Sequence, residues 1–172
     1  MEPGKVVHPF DPVFDENSRI LILGSLPSVK SREEQFYYGH PRNRFWKVLA
    51  ACLEAPLPET TEQKKKFLLE HHIAVWDVIH SCTIAGSSDS SIRDVCANGL
   101  QEVLQHSRVD LIICNRKAAE KYYRKYQQKQ TGQEPAVLPS TSPANAAWSL
   151  ARLIEAWKPV LEKGLYPKKI EV

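Results

Sequence analysis

Close cysteine pairs are missing from this chain. Cys52, Cys82, Cys96 and Cys114 are irregularly spaced, without a Cys-x-x-Cys motif, whereas zinc and iron–sulfur sites usually draw on such pairs. His40, His71, His72 and His80 show no metal-ligand spacing with a carboxylate or a cysteine, so neither a metal nor another cofactor is expected. All four cysteines are expected as buried free thiols. No apolar run approaches the length of a membrane span, and Met1-Glu2-Pro3-Gly4-Lys5 lacks the apolar core of a signal sequence. These absences point to an intracellular, reducing compartment, cytoplasmic in a prokaryote or nuclear in a eukaryote. Charge of one sign is also scarce: 23 Lys+Arg against 20 Asp+Glu leave a net +3. That excludes a general polycation but leaves room for one basic face. Internal repeats and low-complexity tracts are lacking too.

What is present fits a single domain spanning residues 1–172, with its core over about 10–160. A hydrophobic fraction of 42% and a charged fraction of 25% are ordinary for a globular protein. Apolar runs predict strands at residues 19–23, 73–79, 109–114 and 136–138. Helical spacing predicts helices at 43–53, 61–71, 92–106 (interrupted at Asn98-Gly99), 116–130 and 145–161, the second capped by Thr60 or Thr61 and preceded by the breakers Pro56 and Pro58. The polar segment 127–134 reads as a surface connection, because another strand follows it. Strands separated by helices favour a parallel sheet covered on both faces, a three-layer α/β/α sandwich.

Three segments carry most of the functional information: Gly24-Ser25-Leu26-Pro27-Ser28, Gly39-His40-Pro41-Arg42-Asn43-Arg44-Phe45-Trp46, and Leu138-Pro139-Ser140-Thr141-Ser142-Pro143-Ala144-Asn145-Ala146. The first and third follow predicted parallel strands, whose carboxyl ends are where open α/β sheets hold ligands. Their small and polar residues let backbone amides and hydroxyls approach a phosphate closely.

Together these segments resemble the uracil-DNA glycosylase superfamily, and most closely its hypoxanthine-DNA (deoxyinosine) glycosylase family. The resemblance continues through Val75-Trp76-Asp77-Val78, the segment from Gly86 to Ile92, and Ile112-Ile113-Cys114-Asn115. It departs at Leu26, where the family often has Phe, and at Arg116, where Gly is usual. The resemblance implies a short four-stranded parallel sheet, in agreement with the pattern of runs. It also implies a monofunctional glycosylase acting on DNA that contains deaminated bases, hypoxanthine first. Such an enzyme flips the nucleotide out, hydrolyses its N-glycosidic bond and leaves an abasic site. A monomer is expected. The alternatives are a uracil-preferring enzyme of the same fold, a nucleic-acid-binding module with weak or lost catalysis, and a hydrolase of free nucleosides.

The transition state of that reaction resembles an oxocarbenium ion, with negative charge building on the departing base. Protein groups must orient a water and donate hydrogen bonds to the base. Asn43 could accept a hydrogen bond from that water, and the resemblance assigns it the catalytic place. From spacing alone the reading is a cap on the following helix. Asp77, the one carboxylate in the run 73–79, could contact the base edge, act as a base towards water, or bond loop amides. Asn115 could read the carbonyl and N–H of hypoxanthine or uracil, or cap a strand end. Tyr38 could stack on the flipped base, or belong to the core. The first loop, from Gly24 through Ser25, Leu26 and Pro27 to Ser28, and Trp76 at its strand end are expected around the base. Ser140, Thr141, Ser142, Pro143, Ala144 and Asn145 are expected on DNA, with Ser142 or Asn145 as a helix cap and Pro143 early in that helix as the alternative. Arg42 and Arg44 are expected on phosphates or exposed. The segment 86–91 suggests no chemistry beyond a cap from Asp89 or Ser91.

Overall fold

The computed structural model describes residues 3–8, 10–34, 36–86 and 88–166. In chain order the elements are β1 (Gly4–Val7), β2 (Ile20–Gly24), α1 (Val29–Glu34), α2 (Phe45–Cys52), α3 (Thr61–Glu70), β3 (Ile73–Asp77) and β4 (Ile79–Ile84). There follow a 3-10 turn (Asp89–Ser91), β5 (Arg93–Ala97), α4 (Gln101–Gln105), β6 (Leu111–Asn115), α5 (Lys117–Tyr126), α6 (Gln128–Thr131), β7 (Ala136–Leu138) and α7 (Leu150–Leu165).

The centre is a four-stranded sheet of order β3-β2-β6-β7 with every pairing parallel. All residues of β2 and β3 are buried. A strand covered on both faces cannot alternate polar with apolar, and its continuous apolar run is the consequence. From β2 the chain crosses outward to β3, then returns over β2 to β6 and continues to β7. Crossovers of one hand that run in opposite directions place their helices on opposite faces. Helix α7 packs on α2 and on β2 and β7, while α5 packs on β6 and β2. The backbone of α7 comes close to the sheet at Gly164, where any Cβ would collide with Ile20 and Leu111. The point between β2 and β6 where the chain direction reverses is the switch point at which such sheets open a crevice.

A second sheet was not foreseen. β1, β4 and β5 form an antiparallel three-stranded sheet of order β1-β4-β5. The predicted strand 73–79 is two strands that part at Val78, whose N–H turns back to the Gly24 carbonyl. The predicted helix 92–106 is instead β5 followed by the short α4. Within β5, Val95 and Ala97 are half-buried while Arg93, Asp94 and Cys96 are exposed, a period of two rather than of three to four. Asp89 and Ser91 therefore cap no helix there. Ser87 lies outside the described residues.

Two boundaries follow from capping. Helix α3 begins after Thr60, whose hydroxyl accepts from the Gln63 N–H while the Gln63 side chain accepts from the Thr60 N–H. Helix α7 begins after Ser149, whose hydroxyl accepts from the Arg152 N–H. The predicted start at residue 145, with Ser142 or Asn145 as cap, is thereby corrected. Cys52, Cys82 and Cys114 are buried free thiols, whereas Cys96 is exposed on β5. Burial pushes the Cys114 thiol up to about 12, so it stays protonated and unreactive at neutral pH. No helix among the described residues is long and apolar enough to cross a membrane.

Candidate active site

The loops after β2, β6 and β7, together with the segment before α2, enclose a cavity of about 550 Å³ at the switch point. That size is typical of a small-molecule site. Gly24, Ser25, Leu26, Pro27, Ser28, Tyr38, Asn43, Asp77, Asn115, Ser140, Thr141, Ser142, Pro143 and Ala144 all line it. Trp76 does not, because strand alternation turns it into the core, away from the side that Asp77 faces. Arg42 and Asn145 do not line it either.

Gly24 ends β2 where the chain must pass beneath two side chains. A Cβ there would collide with Asp77 Oδ1 and meet Tyr38 Oη at 3.4 Å. Asp77, 4% exposed, is held from outside the parallel sheet. Its Oδ2 lies 2.8 Å from His8 Nε2, and His8 Nδ1 lies 2.7 Å from the Phe10 carbonyl. His8 sits just after β1, and β1 reaches the site by pairing with β4. It was not among the residues singled out from sequence. Its distance of 69 positions from Asp77 leaves no local signal.

Asn43 Oδ1 accepts from the Phe45 N–H at 2.9 Å and from the Thr141 hydroxyl at 2.9 Å. The capping alternative is therefore present, and the orientation of the amide is fixed by a backbone donor. Both lone pairs of the oxygen are engaged, so Asn43 offers the cavity its Nδ2 hydrogens rather than an acceptor for water. Asn115, 3% exposed, is likewise committed. Its Oδ1 accepts from the Thr141 N–H at 3.2 Å, and its Nδ2 donates to Thr141 Oγ1 at 3.1 Å. Thr141 is fully buried. It acts as the internal bridge from Asn115 to Asn43 rather than as a contact to DNA.

Tyr38 stacks on Phe45, with centroids 3.8 Å apart, which leaves at most one ring face for a base. It adopts a left-handed backbone at φ 54. Burial first, and then the Asp77 carboxylate, push its phenol well above the ordinary tyrosine range, while the Asn115 amide opposes that shift. Oη makes no hydrogen bond of ordinary geometry among the described residues.

Arg44 turns its guanidinium inward. Its guanidinium donates to the carbonyls of Ser142 at 2.9 Å, Asn145 at 3.1 Å and Thr141 at 3.4 Å, and to that of Trp148. Four carbonyls drawn to one cation keep the segment before α7 irregular. Asn145 Nδ2 adds a bond to the Ser140 carbonyl at 3.0 Å, so Asn145 shapes the loop from within. Arg42 is exposed.

Arg116 enters the cavity wall with Asp89 and Ser88. Its Nη2 donates to Ser25 Oγ at 3.0 Å and to Asp89 Oδ1 at 2.6 Å. Burial raises Asp89 above the ordinary carboxylate range, and Arg116 opposes that shift. The segment 86–91, for which sequence suggested no chemistry, thus supplies the counter-ion of a cavity cation. Arg116 has φ 95, a backbone conformation that glycine adopts freely and that strains other residues.

The arrangement offers a carboxylate oxygen, amide and guanidinium N–H groups and an aromatic face around one cavity. A loop of small residues forms its rim. Among the described residues no group of three His, Cys, Asp or Glu could hold a metal ion.

Comparison with known proteins agrees with this geometry. Residues 12–161 match the family model described as the uracil DNA glycosylase superfamily. A Methanosarcina acetivorans protein named hypoxanthine DNA glycosylase is 40% identical over 155 residues, 88% of this chain and 95% of the relative. A protein of the same name from Methanosarcina barkeri is 34% identical over 138 residues, 79% of this chain and 86% of the relative. The fold is similar to a solution NMR structure of a Methanosarcina acetivorans protein described as a candidate uracil DNA glycosylase. The TM-score is 0.76 at 37% identity, covering 88% of this chain and 94% of that one. With its sheet, its switch-point cavity and these relatives taken together, the chain belongs to the uracil DNA glycosylase superfamily.

Proposed function

We propose that this DNA glycosylase removes hypoxanthine from DNA as a monomer, without a metal or cofactor, and leaves an abasic site. The observation that carries the reading is the pairing of an acceptor with donors in one cavity. Asp77 Oδ1 takes no hydrogen bond from any described residue, and Asn43 Nδ2 and the remaining guanidinium N–H groups of Arg116 have no protein acceptor among them. Hypoxanthine offers the complement, a donor at N1 and acceptors at O6, N3 and N7. Asp77 Oδ1 accepts from N1–H. Asn43 and Arg116 donate to ring acceptors, whose charge grows as the base departs, and so stabilise the transition state more than the ground state. The sugar cation is electrophile enough that an oriented water suffices, and no lysine is needed to form a Schiff base. Tyr38 lies along the base. Ser140, Ser142, Pro143 and Ala144, with Arg42, meet the DNA backbone around the extruded nucleotide. The names of the two Methanosarcina relatives support hypoxanthine as the base.

The test is a panel of duplexes carrying a single hypoxanthine, uracil or xanthine, or none, followed by alkaline cleavage at abasic sites. Cleavage of the hypoxanthine duplex without cleavage before alkali is expected. An untouched hypoxanthine duplex would refute the reading.

A further inference from the structure

His8 and Asp77 form a buried pair whose proton inventory is constrained. The His8 side chain is 2% exposed and that of Asp77 5%. The imidazole is packed between Phe10, at 4.8 Å, and Tyr37, at 5.9 Å between centroids. The Phe10 carbonyl can only accept, so Nδ1 carries a hydrogen. That leaves one proton to share along the 2.8 Å line between Nε2 and Asp77 Oδ2. Whether the pair is imidazolium with carboxylate or imidazole with carboxylic acid, the proton lies on that line. Oδ1 is then bare in both states. It rests against Gly24 at the cavity, takes no donor among the described residues, and is not sealed from solvent.

We propose that His8 is a positioning residue that locks Asp77 Oδ1 as an acceptor, and that this lock rejects purines whose N1 carries no hydrogen, adenine foremost. The inference rests on the reading of Asp77 as the contact to N1 of the base. Adenine in the same pose would set its N1 lone pair against that of Oδ1. A buried carboxyl group without the lock could carry its proton on Oδ1 and accept adenine. A free amide in its place could turn over and do the same. Discrimination between hypoxanthine and adenine thus depends on a residue that touches neither base. Sites built around a specific hydrogen bond reject analogues lacking it more strongly than apolar walls reject by size.

The test uses duplexes with a single uncleavable 2′-fluoro-deoxyinosine or 2′-fluoro-deoxyadenosine, so that affinity is read apart from chemistry. His8→Phe is expected to reduce the preference for inosine over adenosine by about tenfold or more. Asp77→Asn with His8 intact is expected to stay within about threefold of the unmodified preference. There, Nε2 accepts from the new Nδ2–H and keeps Oδ1 towards the base. The double variant, whose amide is free to turn, loses the preference. An unchanged preference in a folded His8→Phe protein overturns the inference. Should thermal melting show that His8→Phe does not fold, Asp77→Asn decides, because a collapsed preference there means His8 does not orient the side chain. Excision of cleavable deoxyinosine by the unmodified protein is measured in parallel. Its absence would refute the proposed function, whereas excision with an unmoved preference refutes only the lock.

Discussion

Arg116 sits at φ 95, and exchanging it for glycine and for alanine separates two effects. Both substitutions remove the ion pair to Asp89, whose side chains are 27% and 38% exposed. A pair so open contributes about 0.2–1 kcal/mol. Both also remove the donor to Ser25 Oγ, a neutral acceptor contact on the order of 1 kcal/mol. Only glycine relieves the backbone, a gain of about 1–3 kcal/mol, set against about 0.5–1 kcal/mol for its greater freedom when unfolded. Arg116→Gly should therefore lie within about 1 kcal/mol of the unmodified protein, and Arg116→Ala about 1.5 kcal/mol below it. In ordinary helix or strand positions glycine is the less stable of the two, so the sign of the difference is diagnostic. Urea denaturation of the three proteins, with equal slopes, reads it directly. Thermal melting should place glycine above alanine by roughly 2–4 °C. If alanine is as stable as glycine or more so, the strain at Arg116 is not real.

Asn43→Ala should lower excision by about two orders of magnitude or more, the scale of one lost positioned group, with little change in DNA affinity. Asn43→Asp should fail to restore it, because the carboxylate replaces a donor with an acceptor; a loss of thermal stability with full activity in the folded fraction would reduce Asn43 to a cap. Gly24→Ala should lose most activity, since the new methyl group must displace Asp77 or Tyr38, and a fully active variant would show that Asp77 is not needed where it stands. EDTA should leave the rate unchanged, and a rate abolished by EDTA and restored by a divalent ion would contradict a metal-free reaction.

Much of the parallel sheet was legible because its strands are buried on both faces. The runs behind β2 and β7 fall within a residue or two of the observed strands. The antiparallel sheet was not legible. Val78 continues an apolar run without a turn residue, so nothing marked the break between β3 and β4. Around β5, Ile92 just before the strand and Val95 within it also fit a helical spacing with Val103 and Leu104. The cavity's walls could be named from sequence because each lies just after a strand or within a matched loop. The pairings inside it could not. Asn115 ends β6 while Thr141 and Asn43 lie in two separate loops, and their mutual bonds turn two expected ligand contacts inward. Arg44 beside Asn43 reads as a phosphate contact until the Thr141–Trp148 segment folds around its guanidinium. His8 joins Asp77 only through the register of β1 on β4.

The most direct test of the central claim is single-turnover excision from two otherwise identical duplexes, one with deoxyinosine and one with deoxyuridine. A cavity of about 550 Å³ lined by Asp77, Asn43 and Arg116 predicts faster release of the two-ring base. Uracil released ahead of hypoxanthine would contradict the assignment of substrate while leaving the fold intact.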